Sequence, residues 1–319
     1  MKNKLAKEFL DRLKEIYTVE ELEIIEKWFT CENRKTSFRV NALKATDREI
    51  IEILKDKGFI VKKVDFLKHG YILENGDKND LWALDIFKQW KIYLQSISSQ
   101  IPVDMLDLND FNKVLDVTAA PGWKTSQASA ILKNTWEITA VDNNQIRIDK
   151  LNFTLKKQWC RNVDVIKSDA RLLLKKNEEY KEHFDHIIAD LPCSAEWKIN
   201  IHKEKSYGFW AMSVIKKNYH LQKDILKSIL PLLKNNWTII YSTCTLAPEE
   251  NEAVVHMLLS NFPELQMQEI KLESQYAKPW ISSFWKNVYR KDVTKSIRIL
   301  PSDETEWFFI AKFKKIKKD

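Results

Sequence analysis

The stretch Lys113-Val-Leu-Asp-Val-Thr-Ala-Ala-Pro-Gly-Trp-Lys-Thr-Ser-Gln127 decides the fold. Val114 to Val117 is a short apolar run that carries a carboxylate at Asp116. A tight turn follows at Ala119-Ala120-Pro121-Gly122. Lys124 to Leu132 then reads as a helix with Ala128, Ile131 and Leu132 on one face. Strand, glycine turn and helix in this order open a doubly wound α/β sheet. In such sheets ligands bind beyond the carboxyl ends of the strands, against a helix N-terminus.

The stretch downstream repeats the pattern. Ile138 to Asp142, Val163 to Ile166, His186 to Ala189 and Thr238 to Tyr241 read as further strands. They lead into Asp142, Asp169, Asp190 and Cys244. Asp142 lies ~20 residues beyond the glycine turn, where an acid suits a pair of ribose hydroxyls. One such acid alone would be a helix cap or a loop residue. Several polar groups at one sheet edge point to a built site. Phe308 to Phe313 reads as a late strand, antiparallel beside the fifth.

The rest of the chain sets bounds. Its 319 residues suffice for one large domain and one small one. No apolar run reaches the ~18 residues that span a membrane. Met1 to Tyr17 mixes charged residues and leucines at helical spacing, as a surface helix does and a signal peptide does not. Four cysteines without an export signal fit reduced thiols in the cytoplasm. The six histidines show no metal-ligand spacing, and no Cys-x-x-Cys pair exists, so no metal is expected. The net charge of +7 suits a polyanionic partner and equally suits plain solubility.

Residues 1 to about 30 read as two amphipathic helices. Ser37 to Leu43, Phe59 to Val64 and Gly70 to Leu73 read as strands, around a helix Ile50 to Lys57 capped at Thr46 and stopped at Gly58. This places a small α+β module at 1–100 and a catalytic domain at 101–319. Val214 to Lys234 reads as a long helix whose last turn Pro231 bends. Glu249 to Leu259 reads as another.

Asp116 to Thr125, Asp190-Leu-Pro-Cys-Ser194 and Ser242-Thr-Cys-Thr-Leu-Ala-Pro-Glu-Glu-Asn251 resemble the Sun/Fmu family of RNA 5-methylcytosine methyltransferases. Ser37-Phe-Arg-Val-Asn41, Gln95 with Ser99, and Glu306-Trp-Phe-Phe-Ile-Ala311 extend the resemblance over nearly the whole chain. It implies a Rossmann-like class I methyltransferase domain, seven strands with the last antiparallel, and a cytoplasmic, monomeric enzyme that acts on rRNA or tRNA. It implies S-adenosylmethionine as donor, lying along Thr118, Ala119, Ala120, Pro121, Gly122, Trp123 and Lys124. Asp142 would then stand at the ribose, Asp169 near the adenine, and Asp190 between donor and base. The resemblance assigns attack on the base to Cys244 and product release to Cys193. It also implies that the small module helps to hold the RNA.

The chemistry needs such residues. Cytosine C5 is a poor nucleophile, and a thiolate added at C6 makes it carbanion-like. A carboxyl group at Asp190 suits the Watson–Crick edge of the base. The base must leave any stack, so a single-stranded or loop cytosine is the expected substrate. Cys31 and Cys160 lie outside the two motifs and read as structural.

Composition departs from the pattern in one respect. The chain has 5 glycines and 12 tryptophans, where ordinary usage gives ~22 glycines. Trp123, Trp197, Trp237 and Trp307 stand where the family has glycine. Trp90, Trp136, Trp159 and Trp280 stand where a turn glycine reads naturally. Trp210 reads as a genuine tryptophan. One cause serves all eight: a codon that the source organism reads as glycine, standing here as tryptophan. The alternative is a non-catalytic RNA-binding paralogue with a degenerate donor site. Trp123 either turns away from the donor or takes space the donor needs; Trp197 is close enough to the Pro-Cys motif to crowd the base. On this reading the chain as written binds the donor weakly.

Overall fold

The computed structural model describes residues 5–31, 34–109, 111–272, 277–279, 281–284 and 287–317. Before the quoted turn come four short strands, β1 Thr36–Val40, β2 Val61–Lys63, β3 Gly70–Leu73 and β4 Ile92–Leu94. They form an antiparallel sheet in the order β2-β3-β1-β4. The helix Asp47–Asp56 packs Ile50 and Leu54 against Phe38, Val40 and Leu73 of that sheet. Thr46 caps it by accepting the Glu49 N–H at 3.2 Å, and Gly58 follows it at φ +82°. The Glu49 side chain does not complete a capping box; it pairs with Lys91 at 2.7 Å.

The large sheet holds β5 Val114–Asp116, β6 Ile138–Asp142, β7 Val163–Lys167, β8 Phe184–Asp190 and β9 Leu233–Thr243, followed by β10 Leu265–Gln268 and β11 Ala277–Pro279. A small hairpin, β12 Ser283–Phe284 and β13 Asn287–Val288, stands apart. β14 Ile297–Ile299 and β15 Phe308–Lys315 complete it. β7-β6-β5-β8-β9 run parallel, and β15 returns antiparallel to β9. β10 pairs with the far end of β15, which completes the expected seven strands. Two more are added: β14 takes the rest of that edge of β15, and β11 pairs with β14.

Period-two alternation explains why this sheet is buried on both faces. Leu115, Ile187, Ile239, Tyr241, Phe309 and Ala311 point into one core. Val114, Ile138, Ile188, Ile240 and Ile310 point into the other. Each such side chain contributes about 1.5–3 kcal/mol on burial.

Two expectations are corrected. The long helix runs Met212–Ile229, not to Lys234. Pro231 lies in a single 3₁₀ turn, Leu230–Leu232, after which β9 starts directly. Proline lacks the N–H that would continue the helix. The helix expected from Glu249 starts at Glu252, after a 3₁₀ turn at Pro248–Glu250. The helices Lys7–Ile16 and Val19–Thr30 bury Phe9, Leu13, Ile25 and Phe29 in a cluster with Ile199, Ile201, Leu246 and Leu300. They therefore pack on the half that carries the cysteine motifs, not on the four-stranded sheet.

Candidate active site at the carboxyl edge of the sheet

The glycine turn is built by backbone geometry. Gly122 stands at φ +102°, and a Cβ there would meet Leu151 Cδ1 at 3.0 Å and Thr154 Cγ2 at 3.3 Å. The dihedral favours glycine, and a Cβ would need these two side chains to shift. The helix Trp123–Ile131 starts directly after it. Thr125 donates to buried Asp116 at 2.7 Å. Burial pushes the Asp116 carboxyl up to about 6.

Beside this turn lies a cleft lined among others by Thr118, Asp142, Arg147, Asp169, Arg171 and Pro192. Both acids expected to hold the donor face it, and each meets an arginine. Arg147 Nε lies 3.1 Å from Asp142, and Arg171 lies 2.6 Å from Asp169. Hydrogen bonds from Arg171 hold the Asp169 carboxyl below its ordinary range. Sequence reading named the acids and missed the arginines, although Arg147 follows Asp142 closely on the next helix. Carboxylates facing a cleft beside a glycine turn fit an adenosine-bearing donor: they accept from ribose hydroxyls and an adenine amine.

Of the turn residues, Thr118 lines the cleft, whereas Ala119 to Lys124 do not. Thr118 donates to the Asp190 carbonyl at 2.6 Å. The Trp123 side chain turns to the Tyr93 hydroxyl, a residue of β4, and so away from the cleft. The geometry thus selects the first of the two placements open for this ring.

On the other side of Asp190 is a pair of sulfurs. Cys193 Sγ and Cys244 Sγ lie 3.1 Å apart, although 51 residues separate them in sequence. β8 and β9 are adjacent, and the loops that leave them carry one cysteine each. The neighbouring Cys244 and burial push the Cys193 thiol well above its ordinary value. Asp190 is held from two directions. Lys124 donates to one carboxylate oxygen at 2.6 Å and Ser242 to the other at 2.7 Å. Lys124 therefore pairs with Asp190. Lys124 also donates to Ser99 at 3.1 Å.

Ser99 belongs to a buried seam that joins the small sheet to the turn helix. Arg39 of β1 donates to Gln95 and to Ser126 at 3.1 Å each, and Gln95 donates to Gln127 at 3.1 Å. Beneath the cysteines lies a second buried network, of Ser194, Thr245, Glu196 and Glu250. Sequence reading passed over it: the residues lie inside the quoted motifs or beside them, but nothing local marks a glutamate as buried.

The tryptophans divide. Trp90 and Trp159 adopt φ of 61° and 64°, a left-handed conformation that favours glycine. Trp237 does not, but Asn236 before it has φ 71°, inside an irregularity between β8 and β9. Trp123, Trp136, Trp197 and Trp307 have ordinary φ, and Trp280 lies outside the described residues. Trp197 packs against the cluster formed by the first two helices, and its N–H donates to the Cys244 carbonyl at 3.3 Å. Trp307 is fully buried with its indole N–H unpaired. Trp210, read as genuine, donates its indole N–H to Glu196 at 2.6 Å.

Comparison with known proteins shows which family the chain belongs to. Residues 103–314 match the family described as 16S rRNA methyltransferase RsmB/F. The chain is 31% identical over 287 residues to the tRNA (cytosine(49)-C(5))-methyltransferase of Pyrococcus abyssi, covering 88% of each protein. It is 31% identical over 231 residues to the ribosomal RNA small subunit methyltransferase F of Vibrio parahaemolyticus. That match covers 72% of this chain and 48% of the relative, so the chain spans about half the length of that protein. Among solved structures, a methyltransferase homolog protein from Pyrococcus horikoshii superposes with a TM-score of 0.83 at 30% identity, covering 98% of this chain and 95% of that one.

Proposed function

The chain belongs to the RsmB/F family, the Sun family of RNA methyltransferases, and we propose that it methylates C5 of a cytosine in tRNA or rRNA through a cysteine adduct. The observation that carries this reading is the placement of two sulfurs at 3.1 Å beside an Asp190 carboxylate fixed by Lys124 and Ser242.

In this reading Cys244 is the nucleophile. Its thiolate adds to C6, and the electron pair of the C5–C6 bond moves to C5 and into the ring. Asp190 receives the amine edge of the base, and Lys124 orients that carboxylate. S-adenosylmethionine, held by Thr118, Asp142 and Asp169, supplies an electrophilic methyl group when bound. Release needs two events: C5 loses its proton, and the C6–S bond breaks to return the thiolate. Cys193 stands 3.1 Å from Cys244; once its own proton has passed to solvent, its thiolate would accept the C5 proton, and the raised basicity given by the Cys244 contact and by burial favours that transfer.

The small sheet and the turn helix, joined through Arg39 and Gln95, would present the RNA to this edge. The tRNA relative matches this chain over nearly its whole length, whereas the ribosomal ones are longer. Unmodified tRNA is therefore the first substrate to try. The test is methyl transfer to unmodified tRNA and rRNA by the wild type, Cys244→Ala and Cys193→Ala. The reading expects no transfer and no adduct with the first variant, and a persistent protein–RNA adduct with the second. Equal turnover by wild type and Cys244→Ala would remove Cys244 from the role.

A further inference from the structure

Ser194 follows Cys193, and Thr245 follows Cys244. Their hydroxyl oxygens lie 2.6 Å apart. Ser194 Oγ is also 2.5 Å from Glu250 Oε2, and Thr245 Oγ1 is 2.9 Å from Glu196 Oε2. The shortest contacts run in the order Glu250–Ser194–Thr245–Glu196, three in all, and Thr245 Oγ1 lies in addition 3.2 Å from Glu250 Oε2. The two hydroxyls own two protons. Were both glutamates ionised, Ser194 and Thr245 would each point their proton at a carboxylate. The 2.6 Å contact between them would then oppose two lone pairs. A third proton is required, and a carboxyl group must carry it.

The surroundings say which one. Glu196 accepts from Trp210 Nε1 on one oxygen at 2.6 Å, and from the Leu246 N–H on the other at 2.8 Å. Both its oxygens are occupied as acceptors. Glu250 accepts the Ser194 N–H at 2.9 Å and Gln222 at 3.3 Å, both on Oε1. Its Oε2 faces only the two hydroxyls. We propose that Glu250 is a positioning residue: its carboxylic acid donates to Ser194, which donates to Thr245, which donates to Glu196, and this chain locks the residue after each cysteine so that the two sulfurs stay in contact.

The charges around Glu250 favour the protonated form. Glu196 lies across the chain, and Tyr241 of β9 donates to the Glu250 main-chain carbonyl at 2.5 Å. The arginines of the region are committed to other acids: Arg12 to Glu249 and Arg298 to Glu252. Burial pushes the Glu250 carboxyl up to about 8. Glutamine can copy the acid at this site. Its carbonyl accepts the Ser194 N–H, and its amide donates to Ser194 Oγ. Alanine cannot, and a valine at 245 keeps the volume while it breaks the chain at Thr245.

The inference rests on the function proposed above, since it gives the two sulfurs a shared task. Its test has two readouts, one of them independent of activity. The first is steady-state methyl transfer by wild type, Glu250→Gln, Glu250→Ala and Thr245→Val, each checked for folding by thermal melting. Misplacement of a reacting group by about 1 Å costs on the order of 100-fold. Glu250→Ala and Thr245→Val should lose kcat on that scale, with KM for RNA and donor nearly unchanged, while Glu250→Gln keeps at least a third of it. The second is binding of phenylarsine oxide, which bridges two thiols with loss of water and needs both sulfurs close together. Tight binding should be present in wild type and Glu250→Gln, weaker by about tenfold in Glu250→Ala and Thr245→Val, and lost in Cys244→Ala. Unchanged arsenical affinity in both chain-breaking variants would overturn the proposal, as would a Glu250→Gln variant as impaired as Glu250→Ala. An inactive wild type that still binds the arsenical in this pattern would count against the methyltransferase reading and leave the positioning role standing.

Discussion

The two ends of the sheet's carboxyl edge are built on opposite electrostatic terms. On the donor side, beyond β6 and β7, the acids Asp142 and Asp169 face an open cleft and pair with arginines that are themselves half in water. On the base side, beyond β8 and β9, the cysteines rest on buried hydroxyls and two buried glutamates, Glu196 and Glu250. Partly solvated ion pairs are worth little and rearrange easily. A buried hydrogen-bonded network is expensive to break. The donor side is thus suited to exchange a small molecule each turnover, and the base side to hold reacting atoms still. Mutations on the two sides should therefore differ in kind as well as in size.

The sharpest division lies at the sulfurs. Cys244→Ala should abolish methyl transfer, a loss of more than about 10⁴-fold because a covalent step disappears. Cys193→Ala should trap RNA on the protein, seen as a shifted band in denaturing gels. Recovery of turnover in either variant would blur the assignment of one sulfur to attack and the other to release.

A smaller effect belongs to the donor side. Asp142→Ala removes an acceptor for the ribose hydroxyls, and a hydrogen bond to a charged group is worth about 1.5–3 kcal/mol. Donor affinity by calorimetry should fall by about 10–100-fold, with RNA affinity unchanged. Equal loss of RNA binding would mean that the two sides are not separate.

The acid under the cysteines gives a pH signature. In the folded protein Glu250 keeps its proton up to about 8, whereas an unfolded glutamate loses it near 4.5. Between these values the folded state binds more protons, so stability falls as pH rises. Glu250→Gln removes this dependence. The difference in unfolding free energy, Glu250→Gln minus wild type, should rise across that window by up to about 1.4 kcal/mol per pH unit. A flat difference would place an ionised glutamate in the core and break the contrast between the two sides.

The smallest effect tests the tryptophans. Trp159 is half exposed at φ 64°, and its main partner is Lys44, 4.6 Å above the ring. Relief of left-handed strain is worth about 1–2 kcal/mol, and an exposed cation–π contact about 0.5–1. Trp159→Gly should stabilise the protein by roughly 1 kcal/mol on that balance. Trp90→Gly should give less, because Trp90 also stacks on Tyr93 and meets Phe153. Trp123→Gly should leave donor affinity within about twofold, since its ring faces Tyr93. A large gain in affinity on that change would restore the reading that this ring obstructs the donor.

Much of this was legible in the sequence, for reasons that differ by element. The strands β5 to β8 show themselves as apolar runs closed by acids, and their order follows from the doubly wound pattern. Asp190, Cys193 and Cys244 stand in motifs, so chemistry and spacing both marked them. The glycine turn was legible because Pro121-Gly122 stands between an apolar run and a helical pattern. What was not legible depends on long-range packing. Nothing in Pro231 says that a strand follows it at once. Nothing near Glu250 says that it faces Ser194 across 56 positions of sequence. The tryptophans were legible as an anomaly of composition, but only the backbone separates Trp90 and Trp159, which carry glycine-like dihedrals, from Trp307, which fills a core. Reading the codons at all eight positions tests the common cause: one shared codon supports it, and mixed codons exclude it.

The central claim is the reaction itself. The most direct measurement is to incubate the protein with S-adenosylmethionine and unmodified tRNA or ribosomal RNA, digest the RNA to nucleosides and identify the product by mass spectrometry. The account predicts 5-methylcytidine, formed by the wild type and missing with Cys244→Ala. A methyl group on another base or another atom, or 5-methylcytidine formed equally by Cys244→Ala, would contradict it.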